Sequence, residues 1–176
     1  MRMLFVMDEK NYDPAGRKFS RPSVRGIIRR AGKIAMVHAL KHDYYKFPGG
    51  GMEPGEEPIE TLIREVREES GLQVIPESVE EYGRVLRREK GDPEEIFEQE
   101  NYYYLCEVAE GVGPQALDRY ELEEGFTLEW VDPEKSRETN LRVPADHYLH
   151  WRMARREAGV LERILTEWAE SSGREG

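Results

Sequence analysis

The spacing of apolar positions divides the chain into a strand-rich body and a helical tail. Ser23 to Ile28 and Lys33 to Leu40 are rich in β-branched and apolar residues and flank Ala31-Gly32, a spacing that predicts a β-hairpin. Met1 to Met7 reads as a first strand, and Tyr44 to Phe47 as a short extended piece stopped by Pro48 and three glycines. From Pro58 to Ser70 the period changes. Ile59, Leu62, Ile63 and Val66 recur at i, i+3, i+4 and i+7, which predicts a helix with one apolar stripe, Pro58 in its first turn and Gly71 just past its end. Val79 to Glu89 and Phe97 to Val108 predict two long strands joined across Gly91-Asp92-Pro93. Glu110 to Glu124 reads as a loop and Phe126 to Val131 as a strand.

The tail from Asp146 to Ala169 is different in kind. Leu149, Met153, Leu161, Ile164, Leu165 and Trp168 fall at helical spacing among charges, which predicts an amphipathic helix. Packing on the body, dimerisation and covering the active site all remain open for it. The order of elements gives an α/β fold, a mixed sheet with helices on its faces. Residues 1–145 would form one domain, and 146–176 a C-terminal helical extension packed on it.

Composition narrows the chemistry. Cys106 is the single cysteine, so neither an intrachain disulfide nor a cysteine-cluster zinc site is available. No apolar run approaches the ~20 residues needed to cross a bilayer, and a cytoplasmic location is the default expectation. The formal net charge of −10 argues against tight, non-specific nucleic-acid binding, which needs a broad basic surface. It is compatible with a phosphorylated small molecule held through metal ions on carboxylates. One basic stretch, Arg17 to Lys33, holds seven cationic residues and no acid. Within it Arg25 is the first candidate for contact with a phosphate or base, and Arg21 the second.

The segment Gly49 to Leu72, GGGMEPGEEPIETLIREVREESGL, is the informative one. Glu65, Glu68 and Glu69 sit at i, i+3 and i+4 and share one arc of the predicted helix. Like charges at this spacing repel by a few tenths of a kcal/mol, and Glu68 and Glu69 lie in the last turn, where the helix dipole disfavours anions. A bound divalent cation would reverse both terms. Oxygen ligands without histidine or thiol point to a hard ion, Mg²⁺ or Mn²⁺. The Pro48 to Gly51 turn lets backbone approach a ligand closely, and its carbonyls can join the carboxylates. An ordinary acidic helix after a glycine loop is the alternative reading of the triplet by itself.

The whole pattern resembles the Nudix box, G-x5-E-x7-R-E-U-x-E-E-x-G-U, with U a bulky apolar residue. Gly50, Glu56, Arg64, Glu65, Val66, Glu68, Glu69, Gly71 and Leu72 fill every specified position. The resemblance implies an α/β/α sandwich around a mixed sheet, with metal on Glu65, Glu68, Glu69 and the carbonyl of Gly49 or Gly50. It also implies that Arg64 orients Glu65 and that Glu56 supports the arrangement. The activity implied is hydrolysis of a phosphoanhydride in a nucleoside diphosphate linked to another group, by attack of water on phosphorus. Glu65 or Glu68 would act as base. The segment Glu124-Gly125-Phe126-Thr127-Leu128-Glu129-Trp130 resembles the E-G-x-x-x-E-W stretch of MutT-like members and nominates Glu124 as a further metal ligand or base. Glu98 and Glu100 are weaker candidates for the base.

Substrate choice lies outside the box. A normal or oxidised nucleoside triphosphate leads. A nucleotide sugar, a dinucleoside polyphosphate and ADP-ribose follow, although the extra glycine and proline signature of ADP-ribose hydrolases is not seen. A nucleic-acid partner is disfavoured, and a homodimer is open. A non-catalytic nucleotide-binding module is the reading from another class, opposed by the intact carboxylates. Tyr44, Tyr45, Phe47 and Tyr102 to Tyr104 are candidates for stacking on a base or for the core. His147 and His150, at i, i+3, read as helix-surface histidines.

Overall fold

The computed structural model describes residues 1–93 and 95–172. The strands are β1 (Met3–Asp8), β2 (Lys18–Ser20), β3 (Ser23–Ile27), β4 (Arg29–Arg30), β5 (Lys33–Ala39), β6 (Tyr44–Lys46), β7 (Glu80–Lys90), β8 (Ile96–Leu105) and β9 (Phe126–Val131). The α-helices are α1 (Pro58–Ser70), α2 (Arg119–Glu124), α3 (Pro133–Leu141) and α4 (Tyr148–Ser172). Two of these differ from expectation. Glu110 to Glu124 is not wholly a loop, because Asp118 accepts the Glu121 N–H at 2.8 Å while the Glu121 carboxylate accepts the Asp118 N–H at 2.8 Å, a capping box that starts α2. Helix α3 carries almost no apolar stripe and so leaves no periodic signal. Asp132 starts it by accepting the Glu134 N–H.

The strands form two sheets. In the first, β1 and β7 run parallel, β7 and β8 form the long antiparallel pair, and β2 and β3 both run parallel to β8. In the second, β5 pairs antiparallel with β4, β6 and β9. The anticipated hairpin survives only as its tip, Arg29–Ile34 and Arg30–Lys33 across Ala31-Gly32. Regular strand is interrupted at Ile28. Before the interruption the chain pairs with β8, with Gly26 opposite Tyr104, and after it with β5. One continuous run of apolar residues therefore serves both sheets, which periodicity cannot distinguish from a hairpin arm.

Helix α1 covers one face. Leu62 and Val66 are fully buried against Val24, Ile28, Ala35, Leu72 and Tyr104. Ile59, at the start of the expected stripe, is 43% exposed. On the opposite face Val160, Leu161 and Ile164 of α4 pack with Leu4, Ile27, Met36, Phe47, Val85 and Tyr103. The architecture is thus an α/β/α sandwich closed by a C-terminal helix. Most of the candidate stacking rings are core: Tyr44, Tyr45, Phe47, Tyr103 and Tyr104 are buried. Burying an aromatic ring contributes roughly 1.5–3 kcal/mol, so packing accounts for them without a ligand.

The buried face of α4 also carries charge. Arg156 donates to Asn101 Oδ1 at 2.7 Å and pairs with Glu157, which accepts from the Tyr103 hydroxyl at 3.3 Å and lies 4.0 Å from Arg25 Nε. Ser23 donates to the same Asn101 oxygen at 2.8 Å. Desolvating these charges is costly, and hydrogen bonds at each end offset the cost. Removing one partner would leave the arginines uncompensated. Glu157→Ala is therefore expected to lower unfolding stability by about 3–5 kcal/mol, read from denaturant unfolding. A change under ~1 kcal/mol would show that the network contributes nothing.

Candidate active site

The site begins with backbone. Pro48 to Met52 lies alongside the start of β3, with Gly26 N–H on the Pro48 carbonyl, Val24 N–H on Gly50, and Met52 N–H on Pro22, each at 2.9 Å. At Gly49, with φ 142°, a Cβ would come within 2.1 Å of the Val24 carbonyl oxygen. Only glycine permits this approach. At Gly50 a Cβ would lie 2.2 Å from Glu65 Oε2, so the loop backbone and the first carboxylate of the arc occupy adjoining space.

Helix α1 then presents its acids to that loop. It starts with Pro58 in the first turn and Glu60 reaching back to the Glu57 N–H at 3.1 Å. It ends at Gly71 in the left-handed region, where Gly71 N–H bonds to Arg67 O and Ala116 N–H takes up the Glu68 carbonyl at 2.8 Å. Arg64 is a clamp. Its Nε and Nη2 bond Glu56 at 2.7 and 2.8 Å, and its Nη1 bonds Glu65 at 2.6 Å and approaches Glu68 at 3.4 Å. Paired, planar contacts of this kind fix orientation as well as charge. Glu56 also accepts from the Thr61 hydroxyl at 2.7 Å and the Glu53 N–H at 2.9 Å.

Glu69 is the buried member of the arc. It pairs with Lys46, and its other oxygen accepts the Gly49 N–H at 2.9 Å. Lys46, 5% exposed, also donates to the Gly49 carbonyl at 3.2 Å. Lys46 was not marked by the sequence pattern; the available signal was a lysine inside an otherwise apolar strand beside the box. Glu121 is a second unmarked residue. It lies across from α1 on α2, within electrostatic reach of Glu69 and Lys46.

These surroundings set protonation. Arg64 first, then the Glu53 N–H and the Thr61 hydroxyl, hold Glu56 down at about 2. Burial raises Glu65, opposed by Arg64 and reinforced by Glu69. Burial also raises Glu121 to about 7, with repulsion from Glu69 adding to it. Lys46 is lowered by burial and supported by Glu69.

Other candidate residues are placed elsewhere. Arg25, expected to meet a phosphate or base, is 6% exposed and donates to the Gly49 carbonyl. Its guanidinium is held by that oxygen and faces Glu157, 4.0 Å from Nε, so it acts behind the loop. With Arg25 and Lys46 both on it, the Gly49 carbonyl has its two lone pairs filled, whereas the Gly50 carbonyl accepts one bond from Val24. The carboxylate of Glu124 lies against Lys41 at 3.3 Å, His42 at 3.6 Å and His150 at 3.2 Å. Glu98 pairs across the strands with Arg88, and Glu100 with Arg84. Arg21 is exposed, with its guanidinium against Gly51 and 3.6 Å from Glu53. It borders a cavity of ≈ 480 Å³ that also meets Phe19, Met52 and Glu56.

The donor set fits a hard divalent cation: Glu65, Glu68 and Glu69 offer only oxygen, and the missing Cβ at Gly50 leaves space beside Glu65. An acidic, metal-compatible helix held behind a glycine loop on an α/β/α sandwich defines the class of protein. The model of the family described as NUDIX domain matches residues 19–152, and the chain belongs to that family. It is 31% identical over 134 residues to an RNA pyrophosphohydrolase of Xanthomonas axonopodis pv. citri, covering 68% of this chain and 62% of the relative. A Stenotrophomonas maltophilia protein of the same name matches at 31%, covering 68% and 61%. The chain thus spans less than two thirds of the length of these relatives. Among solved structures, a NUDIX hydrolase from Nitrosomonas europaea superposes with a TM-score of 0.51 at 21% identity, covering 72% of this chain and 82% of that one. A MutT protein from Bacillus halodurans superposes at 0.50 and 21%, covering 68% and 72%. At that identity the likeness is one of fold.

The clamp generates a pH signature. A folded-state value depressed from 4.5 to about 2 means that Glu56 contributes stability above about pH 4.5, and that this is lost as pH falls toward 2. Between pH 4.5 and 2 the thermal midpoint of wild type should therefore fall more steeply than that of Glu56→Gln. Parallel profiles would show that the Glu56–Arg64 pair does not form.

Proposed function

We propose that this chain is a divalent-metal-dependent hydrolase that cleaves a phosphoanhydride at a nucleoside 5′-triphosphate. The observation that carries the reading is the carboxylate arc of α1, with Arg64 joining Glu56 to Glu65 beside the Gly50 backbone. Glu65, Glu68 and Glu69 would hold Mg²⁺ or Mn²⁺, with the Gly50 carbonyl as a further oxygen. When bound, the ion supplies charge neutralisation on the diphosphate and acidifies a water. Arg64 holds Glu65 in orientation. Glu121 is the proposed acceptor of the attacking water's proton at Oε1, since its Oε2 is engaged by the Asp118 N–H. Glu65 is the alternative acceptor. Glu124 stays outside this set because its carboxylate faces Lys41, His42 and His150.

For substrate, Arg21 offers an exposed cation and Phe19 a ring face, 44% exposed, at the cavity bordering Glu56. A free nucleoside triphosphate, normal or oxidised, suits a chain of net charge −10. The second reading is the same triphosphate at the 5′ end of an RNA, favoured by the likeness to RNA pyrophosphohydrolases. Either substrate is consistent with a cytoplasmic setting.

A phosphate-release screen with Mg²⁺ tests the reading across nucleoside triphosphates, 8-oxo-dGTP, a 5′-triphosphate RNA oligonucleotide, nucleotide sugars, ADP-ribose and diadenosine polyphosphates. One preferred triphosphate is expected, and silence across the panel would reject the enzyme reading in favour of a binding module. On the preferred substrate Glu68→Gln should cut turnover by orders of magnitude with an unchanged circular dichroism spectrum. Wild-type turnover in this variant would sink the metal assignment. Glu121→Gln should lower turnover clearly but less completely, and no effect would move the proton acceptor to Glu65.

A further inference from the structure

A group of side chains on another part of the molecule has a different chemistry. His42 lies in the turn after β5, His147 immediately precedes α4 and its carbonyl accepts the Trp151 N–H at 2.8 Å, and His150 lies in the first turn of α4, three residues on. One ring nitrogen from each falls within 4.8 Å of the others. The His42 and His150 rings stack with centroids 3.8 Å apart, and His42 and His147 lie 5.1 Å apart. Tertiary structure, not sequence spacing, assembles this trio, because His42 comes from more than a hundred residues earlier.

An independent observation points to what the trio would hold. Glu124, at the C-terminal end of α2, is 3% exposed, and its Oε2 has no hydrogen-bond partner among the described residues. That oxygen is 3.2 Å from His150 Nε2 without hydrogen-bond geometry, and Oε1 is 3.6 Å from His42 Nε2 and accepts from Lys41 Nζ at 3.3 Å. A buried carboxylate oxygen without a donor is destabilising, because it has given up water and gained no partner. A cation shared with the imidazoles would satisfy it.

We propose that His42, His147 and His150, with Glu124 as a fourth ligand, form a second metal site that takes a borderline transition ion such as Zn²⁺. Three imidazoles and one carboxylate are a zinc-type donor set, in contrast to the all-oxygen set on α1. Tetrahedral bonds of ~2.0–2.1 Å would place ligand atoms about 3.4 Å apart. The trio therefore closes by at most about 1.4 Å, within reach of side-chain rotation. An ion there would join the turn after β5, the end of α2 and the start of α4. It would fasten the helix that carries Glu121 to the body of the protein.

The test is titration of the whole chain with Zn²⁺ by calorimetry and with Co²⁺ by visible absorption, in excess Mg²⁺ to fill the carboxylates of α1. One equivalent is expected to bind, with the intense d–d bands of a four-coordinate Co²⁺ ion and a raised thermal midpoint. Glu68→Gln should bind like wild type. His42→Ala and the more exposed His147→Ala should each weaken binding by more than the roughly 10–100-fold that loss of an outer-sphere partner costs. Circular dichroism would establish that both variants are folded. Absence of binding at micromolar ion, wild-type binding by both histidine variants, or loss of binding in Glu68→Gln would each overturn the proposal.

Discussion

The close approach of the Pro48 to Met52 backbone to β3 is the constraint on which the site depends. Three backbone hydrogen bonds hold the two segments together, and no side chain fits between them at Gly49. The loop is thereby part of the sheet's edge, although it has no regular strand structure over most of its length. Because α1 packs Leu62 and Val66 on the same β3 residues, helix and loop are referenced to one strand. Their separation is then set by core packing, which is stiff. The carboxylate of Glu65 meets Gly50 as a consequence.

Behind this contact lies a line of buried charge running from the loop to the opposite face. The Gly49 carbonyl receives Arg25 and Lys46; Arg25 faces Glu157, Glu157 pairs with Arg156, and Arg156 holds Asn101 on β8. Charges so placed give little net stability compared with apolar packing. Their value here is positional. Each has one set of partners, so a shifted loop or a rotated α4 would strand a charge away from water. Helix α4 therefore does more than cover a sheet face: it anchors the back of the glycine loop.

The same logic separates Glu121 and Glu124 of α2. Three residues apart on a six-residue helix, Glu121 is directed toward Glu69 and Lys46, while Glu124 is directed into the histidines. Helix α2 thus stands between the hard-oxygen arc on one side and imidazole nitrogen on the other.

The sequence by itself determined the α/β class, the extents of α1, β7 and β9 to within a residue or two, and the identity of the carboxylate arc. These features are local: a 3.6 period, a two-residue alternation, or acids at fixed spacing on one helix. The resemblance of residues 50–72 to the Nudix box identified the family from the same short stretch. Only the tertiary structure decided the division of Ser23 to Leu40 between two sheets, the burial of Lys46 and Arg25, the direction of Glu124, and the meeting of His42 with His147 and His150. Each of these depends on contacts between residues distant in sequence. A charged residue's partner leaves no mark in the pattern around it, so a buried arginine that braces a loop and an exposed one that meets a ligand read alike until the chain is folded.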